Sequence, residues 1–160
     1  MLVCRHEIVT FGISNGTSMS GQPTNLRLHY TILCEDVRLE INHKLSLMGI
    51  FYAIQVPQLP VTLLKIVILN HWSGNGQYLS EVRILTPDRS QPVAVSAPTP
   101  FEVPHDGFAD NVTIFANVSF PTAGSYVLQS LINSNVFSEQ PLVVTDANHP
   151  QAAVTTETIQ

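Results

Sequence analysis

From Asn111 to Phe120 the chain reads Asn-Val-Thr-Ile-Phe-Ala-Asn-Val-Ser-Phe, an alternation of apolar and polar residues with one interruption. Val112, Ile114, Ala116, Val118 and Phe120 share one phase. Asn111, Thr113, Asn117 and Ser119 share the other, and Phe115 alone breaks the polar set. Side chains point to opposite faces at successive strand positions, so this period of two predicts a half-buried strand. Leu26, Leu28, Tyr30, Ile32 and Cys34 repeat the pattern, with His29 on the polar side. The run Leu64-Lys65-Ile66-Val67-Ile68-Leu69 is nearly continuous and rich in β-branched residues, as a central strand buried on both faces would be. Further strands are predicted at Leu45 to Tyr52, Tyr78 to Leu85, Pro92 to Val95, Tyr126 to Ile132 and Val136 to Thr145.

The punctuation agrees with short strands. Ser73-Gly74-Asn75-Gly76 tolerates the positive φ of tight turns, the last hairpin is predicted to turn tightly at Asn133-Ser134, and Thr86-Pro87-Asp88 ends a strand with turn chemistry. Pro98, Pro100 and Pro104 confine their segment to a loop or an edge, because proline cannot donate to a ladder. At Glu35-Asp36 the apolar phase changes from even to odd positions, which predicts a bulge or break. The hairpin before Leu45 is predicted to close over Asn42-His43-Lys44, pairing Ile41 with Leu45 and Leu39 with Leu47. Nothing calls for a long helix. The expected fold is all-β, an immunoglobulin-like antiparallel sandwich of about seven to nine strands.

At 160 residues, a single core suffices. The predicted division is 1–24 as an N-terminal extension or linker, 25–146 as the β-sandwich domain and 147–160 as a flexible tail. Ser14 to Thr24 has linker texture, Glu7 to Ile13 offers at most an edge strand, and Met19 offers an internal start.

Seven Lys+Arg stand against twelve Asp+Glu, a net charge of −5, and no basic run appears. Nucleic-acid binding, which needs clustered positive charge, is not expected. No apolar run approaches the roughly 18 residues of a membrane span. Arg5, His6 and Glu7 interrupt the place where a signal peptide has its apolar region. A soluble, cytoplasmic protein is therefore expected, with Cys4 and Cys34 reduced.

Chemical motifs are weak. Gly12-Ile13-Ser14-Asn15-Gly16 has the spacing of a nucleophile elbow but no surrounding α/β pattern. The six histidines are dispersed, with no pair at metal-ligand spacing, and Glu35 and Asp36 cannot share a face of one strand. His105-Asp106-Gly107-Phe108-Ala109-Asp110 holds too few acids for a calcium loop and reads as a turn. No catalytic residue, metal or cofactor is expected. The candidates for an interaction surface are His71, Trp72 and Tyr78, aromatic rings beside Ser73–Gly76. Packing against the end of the sandwich competes with that reading.

Two resemblances add to this. Thr122-Ala123-Gly124-Ser125-Tyr126-Val127-Leu128 resembles the immunoglobulin-superfamily run before the second cysteine. It assigns structural roles to Gly124 and Tyr126, the latter as a tyrosine corner bonded to main chain near Phe120 to Thr122. Thr122 stands for the usual acid and Leu128 for the cysteine, so no inter-sheet disulfide is implied. Across about 30–145, the ordered set Thr31–Arg38, Lys44–Phe51, Val56-Pro57, Phe120-Pro-x-x-Gly-x-Tyr126 and Gln140–Val144 is similar to an uncharacterised bacterial family, a domain of unknown function. That resemblance implies domain limits and no activity.

The expected role is a non-enzymatic binding or protein-interaction module with a protein partner or self-association. Two alternatives stand beside it: a structural component of a phage-related or envelope assembly, and an enzyme with a spatially assembled site.

Overall fold

A computed structural model describes residues 25–147. The expectations for 1–24, including Glu7 to Ile13, the elbow motif, Cys4 and Met19, lie outside these residues, as does the tail beyond Ala147. Ala147 itself is tied down, its amide donating to the Val56 carbonyl at 3.0 Å.

The described residues form strands and turns only. The strands are β1 (Arg27–Leu39), β2 (Leu45–Phe51), β3 (Ala53–Val56), β4 (Val61–Leu85), β5 (Pro92–Val95), β6 (Thr99–Phe120), β7 (Gly124–Ile132) and β8 (Asn135–Asp146). Hydrogen bonds join β2-β1-β4-β7-β8-β3 in that order, with β5 and β6 also paired to β4. All pairs are antiparallel except β3 with β8, which is parallel. The chain therefore departs once from the expected all-antiparallel scheme.

The connected sheet is folded on itself. The first half of β4 lies between β1 and the second half of β6; its second half lies beside β7, β5 and the start of β6. Ile66 and Ile68 from one half pack with Val82 and Ile84 from the other. Leu33, Phe115, Val118 and Phe120 join them from the first layer, and Ile54, Tyr126, Leu128, Leu142 and Val144 from the second. This is a β-sandwich whose two layers share strands.

Ser73–Gly76, read as a turn, is instead the place where β4 bends without ending, and the register with β6 shifts between Gly74 and Gly76. Gly74 has φ +147°, and a Cβ there would lie 2.0 Å from the Asn25 carbonyl oxygen, so the bend requires glycine. His105 and Asp106 lie in the matching irregularity of β6, not in a separate turn. β6 also runs through Pro100 and Pro104 and is paired only with β4, the edge position that proline tolerates.

The single phase assigned to 112–120 is corrected too. Phe115, Val118 and Phe120 face the space between the layers, whereas Val112 and Ile114 join Cys34, Val67 and Leu69 in a cluster on the opposite face. Asn117, at φ 54°, stands where the phase slips. Phe115 thus marks the face between the layers.

β1 runs unbroken through Glu35-Asp36, and its register with β2 is constant there. The phase change accompanies a parting of strands: pairing of β1 with β4 ends at Cys34–Val67. The first hairpin pairs Leu39 with Leu45 and Val37 with Leu47, two residues from the expected register, around Asn42 and His43 at positive φ. A shift of two leaves every side chain on its face, so alternation alone cannot detect it. The last hairpin turns at Asn133-Ser134, with φ 49° and 68° and Ile132 opposite Asn135.

Candidate functional site

Neighbouring residues on β4 separate the sequence candidates. Trp72 points between the layers and is fully buried with Leu26, Phe101, Val103 and Ile132. Its ring meets Phe101 at 5.7 Å and Phe137 in a T-shaped arrangement at 5.2 Å. Tyr78 packs on the same cluster, 5.7 Å from Phe101, and donates its hydroxyl to the Asn75 carbonyl at 2.6 Å. Trp72 thus has the packing role that competed with the surface reading, and Tyr78 packs half-buried against the same cluster. Among the described residues, Trp72 Nε1 is the buried side-chain polar atom left without a hydrogen-bond partner.

His71 lies on the other face, with new companions. It stacks on Tyr30 from β1 (4.7 Å, 8° between planes) and on Phe108 from β6 (5.3 Å, 11°). The register explains the row, since Tyr30 and Asp110 are the cross-strand partners of His71 on its two sides. His71 donates from Nδ1 to the Asp110 carboxylate at 2.6 Å; a carboxylate can only accept there. Burial, then the charge of Asp110, pushes the Tyr30 hydroxyl above its ordinary range, so it remains a protonated donor.

A bulge adds the fourth ring. The β1–β4 register slips between Leu28 and Tyr30, leaving His29 as the extra residue. Leu28 thereby stays with the Trp72 cluster while His29 joins Tyr30 on the outer side. His29 lies 5.6 Å from His71 and 5.7 Å from Phe108, and its Nε2 shares a 2.7 Å hydrogen bond with Ser73 Oγ. Tyr30 and Phe108 remain 46% and 62% exposed, so the outer rings of the stack are open to solvent while the middle one is held. Sequence reading missed Tyr30, His29 and Phe108. Phe108 carried a signal, an aromatic ring in phase with Asp106 and Asp110, whereas Tyr30 shares the apolar phase of Leu28 and Ile32 and carried none.

Gly124 and Tyr126 hold a different part of the fold. Tyr126 is fully buried, edge-on to Phe120 at 5.0 Å, and donates its hydroxyl to the Thr122 carbonyl at 2.8 Å. Gly124 has φ +149°, and a Cβ there would lie 2.8 Å from Pro87 Cγ. Cys34 is free and buried. Burial pushes its thiol up, away from the range of a reactive thiolate, and it donates to the Asp36 carbonyl at 3.3 Å. Among the described residues no three His, Cys, Asp or Glu side chains gather as a metal site would require. Among the described residues no helix is long and apolar enough to cross a membrane.

No curated protein matches this sequence. Among solved structures, a Pseudomonas fluorescens alkylpurine DNA glycosylase bound to DNA with an abasic-site analog aligns at 8% identity and a TM-score of 0.48. The alignment covers 75% of this chain but only 30% of the glycosylase. An immunoglobulin-like protein from Pseudomonas aeruginosa aligns at 16% identity and a TM-score of 0.39, over 78% of this chain and 100% of its own. A family model of unknown function matches residues 29–145, from His29 of the aromatic patch to the penultimate residue of β8. The chain belongs to that family, the family of unknown function DUF6941.

Proposed function

We propose that this domain is a non-enzymatic protein-interaction module, acting in the cytoplasm, whose contact surface is the patch of Tyr30, His71, Phe108 and His29. The observation that carries the reading is the pinned stack: two substantially exposed rings held parallel against a central imidazole that Asp110 fixes. Aromatic side chains supply large contact area with few torsions to immobilise, and rings already packed lose less freedom on binding. Aromatic residues are also enriched where interfaces concentrate their energy. The surrounding Ser73, Asp110 and Tyr30 hydroxyl provide polar groups for orientation.

The test is comparative capture with purified full-length protein. Partners retained by the wild type should be lost with Tyr30→Ser combined with Phe108→Ser, and kept with Gln77→Ala, a change at an exposed position away from the patch. Identical partners for all three proteins would overturn the assignment.

A further inference from the structure

Where β1 leaves β4, the sandwich opens. Beyond Cys34–Val67 the two strands are no longer paired, although β1 continues to Leu39. The edge of Thr62–Lys65 that faces away from β6 therefore has no strand partner among the described residues. Nearby, β3 is the terminal strand of the connected sheet and pairs on one side only, with β8. Both free edges line one slot of about 640 Å³, walled by Ala53–Val56, Thr62–Lys65, Phe51 and Glu35. That volume lies in the range of small-ligand sites. A four-residue edge such as β3 spans about 13 Å of extended chain.

The lining has a chemical bias. Phe51, Ile54, Val56, Leu63 and Leu64 make it apolar, and Leu64, 79% exposed, leaves a large apolar side chain of the wall facing water. Of the two charged residues in the wall, Lys65 is already engaged by Asp36. Glu35 takes part in none of the ion pairs of the described residues. Its carboxylate lies over Gly49, where even a methyl group would come within 2.7 Å of Oε2. The slot thus presents one uncompensated negative charge, in a protein whose net charge is −5.

We infer that this slot binds an extended peptide segment of a partner protein, which adds as a strand to the free edge of β3 or β4 and places a Lys or Arg side chain on Glu35. Main-chain hydrogen bonds at a sheet edge give such complexes their affinity, and alternate side chains give the selectivity. The slot is separate from the aromatic patch, and the two proposals can fail independently.

The experiment is a titration of the 15N-labelled full chain with Ac-Val-Lys-Val-Lys-Val-NH2, read by amide chemical shifts. Shifts are expected at Ala53–Val56 and Thr62–Lys65 and not at Tyr30 or Phe108. The glutamate counterpart, Ac-Val-Glu-Val-Glu-Val-NH2, should bind about fivefold more weakly, the upper range for one exposed ion pair. Glu35→Gln should abolish that preference, whereas Glu102→Gln, the same change of net charge elsewhere, should preserve it. A lysine peptide methylated on alternate backbone nitrogens should fail to bind. No shifts at these amides at millimolar peptide, or a preference that survives Glu35→Gln, would overturn the inference.

Discussion

His71 and Trp72 are adjacent in sequence and occupy opposite environments. Trp72 is enclosed between the layers by Phe101, Val103, Ile132 and Leu26, whereas His71 stands in a surface stack between Tyr30 and Phe108. The inward side holds the fold; the outward side leaves two rings of the stack open to solvent. In a strand, one residue of separation exchanges one face for the other, so a pair of aromatic neighbours is evidence for two different sites.

Removing the inward member should have the largest effect. Trp72→Ala empties a fully buried ring site and should cost about 3–5 kcal/mol, measured by urea denaturation. A loss under about 1 kcal/mol would mean that the interior near the bend is loosely packed. Next comes Tyr126→Phe, which keeps the ring and removes the hydroxyl bonded to Thr122. It should cost about 1.5 kcal/mol in the same assay, because the Thr122 carbonyl loses its donor. A neutral result would place the value of Tyr126 in its ring alone.

His71→Ala should cost about 1 kcal/mol or less, the scale of aromatic pairs at a half-exposed site, while weakening partner binding. If it unfolds the domain as Trp72→Ala does, the division between the two faces fails. The smallest effect belongs to the exposed turn after β4. Hydrogen bonds from Thr86, then from the Ser90 amide and hydroxyl, hold the Asp88 carboxyl down at about 2 against an ordinary 3.8. Its folded value lies below its unfolded one, so the turn contributes stability above the ordinary value that is lost as pH falls from about 4 through about 2. Asp88→Asn should shrink the difference in urea midpoint between pH 5 and pH 2, and an unchanged difference would show that the turn does not couple to folding.

The sequence made the all-β class, the Asn133-Ser134 turn and the Tyr126 contact legible, because each rests on local chemistry. Alternation names faces, and short motifs name turns. What escaped it depends on neighbours remote in sequence. Gly74 and Gly76 are as suited to a bend within a strand as to a turn between two, and only pairing with β6 decides between them. A register shift of two at the first hairpin leaves the pattern of faces intact. The site was half legible: His71 stood out beside Trp72, but Tyr30 and Phe108 reach it from strands that the sequence separates by 41 and 37 residues. The bulge that brings His29 to them has no residue signature of its own.

The passage of β4 and β6 through both layers bears on how this molecule yields under load. A sandwich of two independent sheets can shear along the plane between them, breaking side-chain contacts first. Here each layer is stitched to the other by the backbone of two long strands, so sliding one layer must also tear ladders in the other. Among the described residues no seam separates the layers. In hydrogen exchange, amides near Ile68 and near Val82 should open together with one free energy, as a single cooperative unit, although they belong to opposite layers.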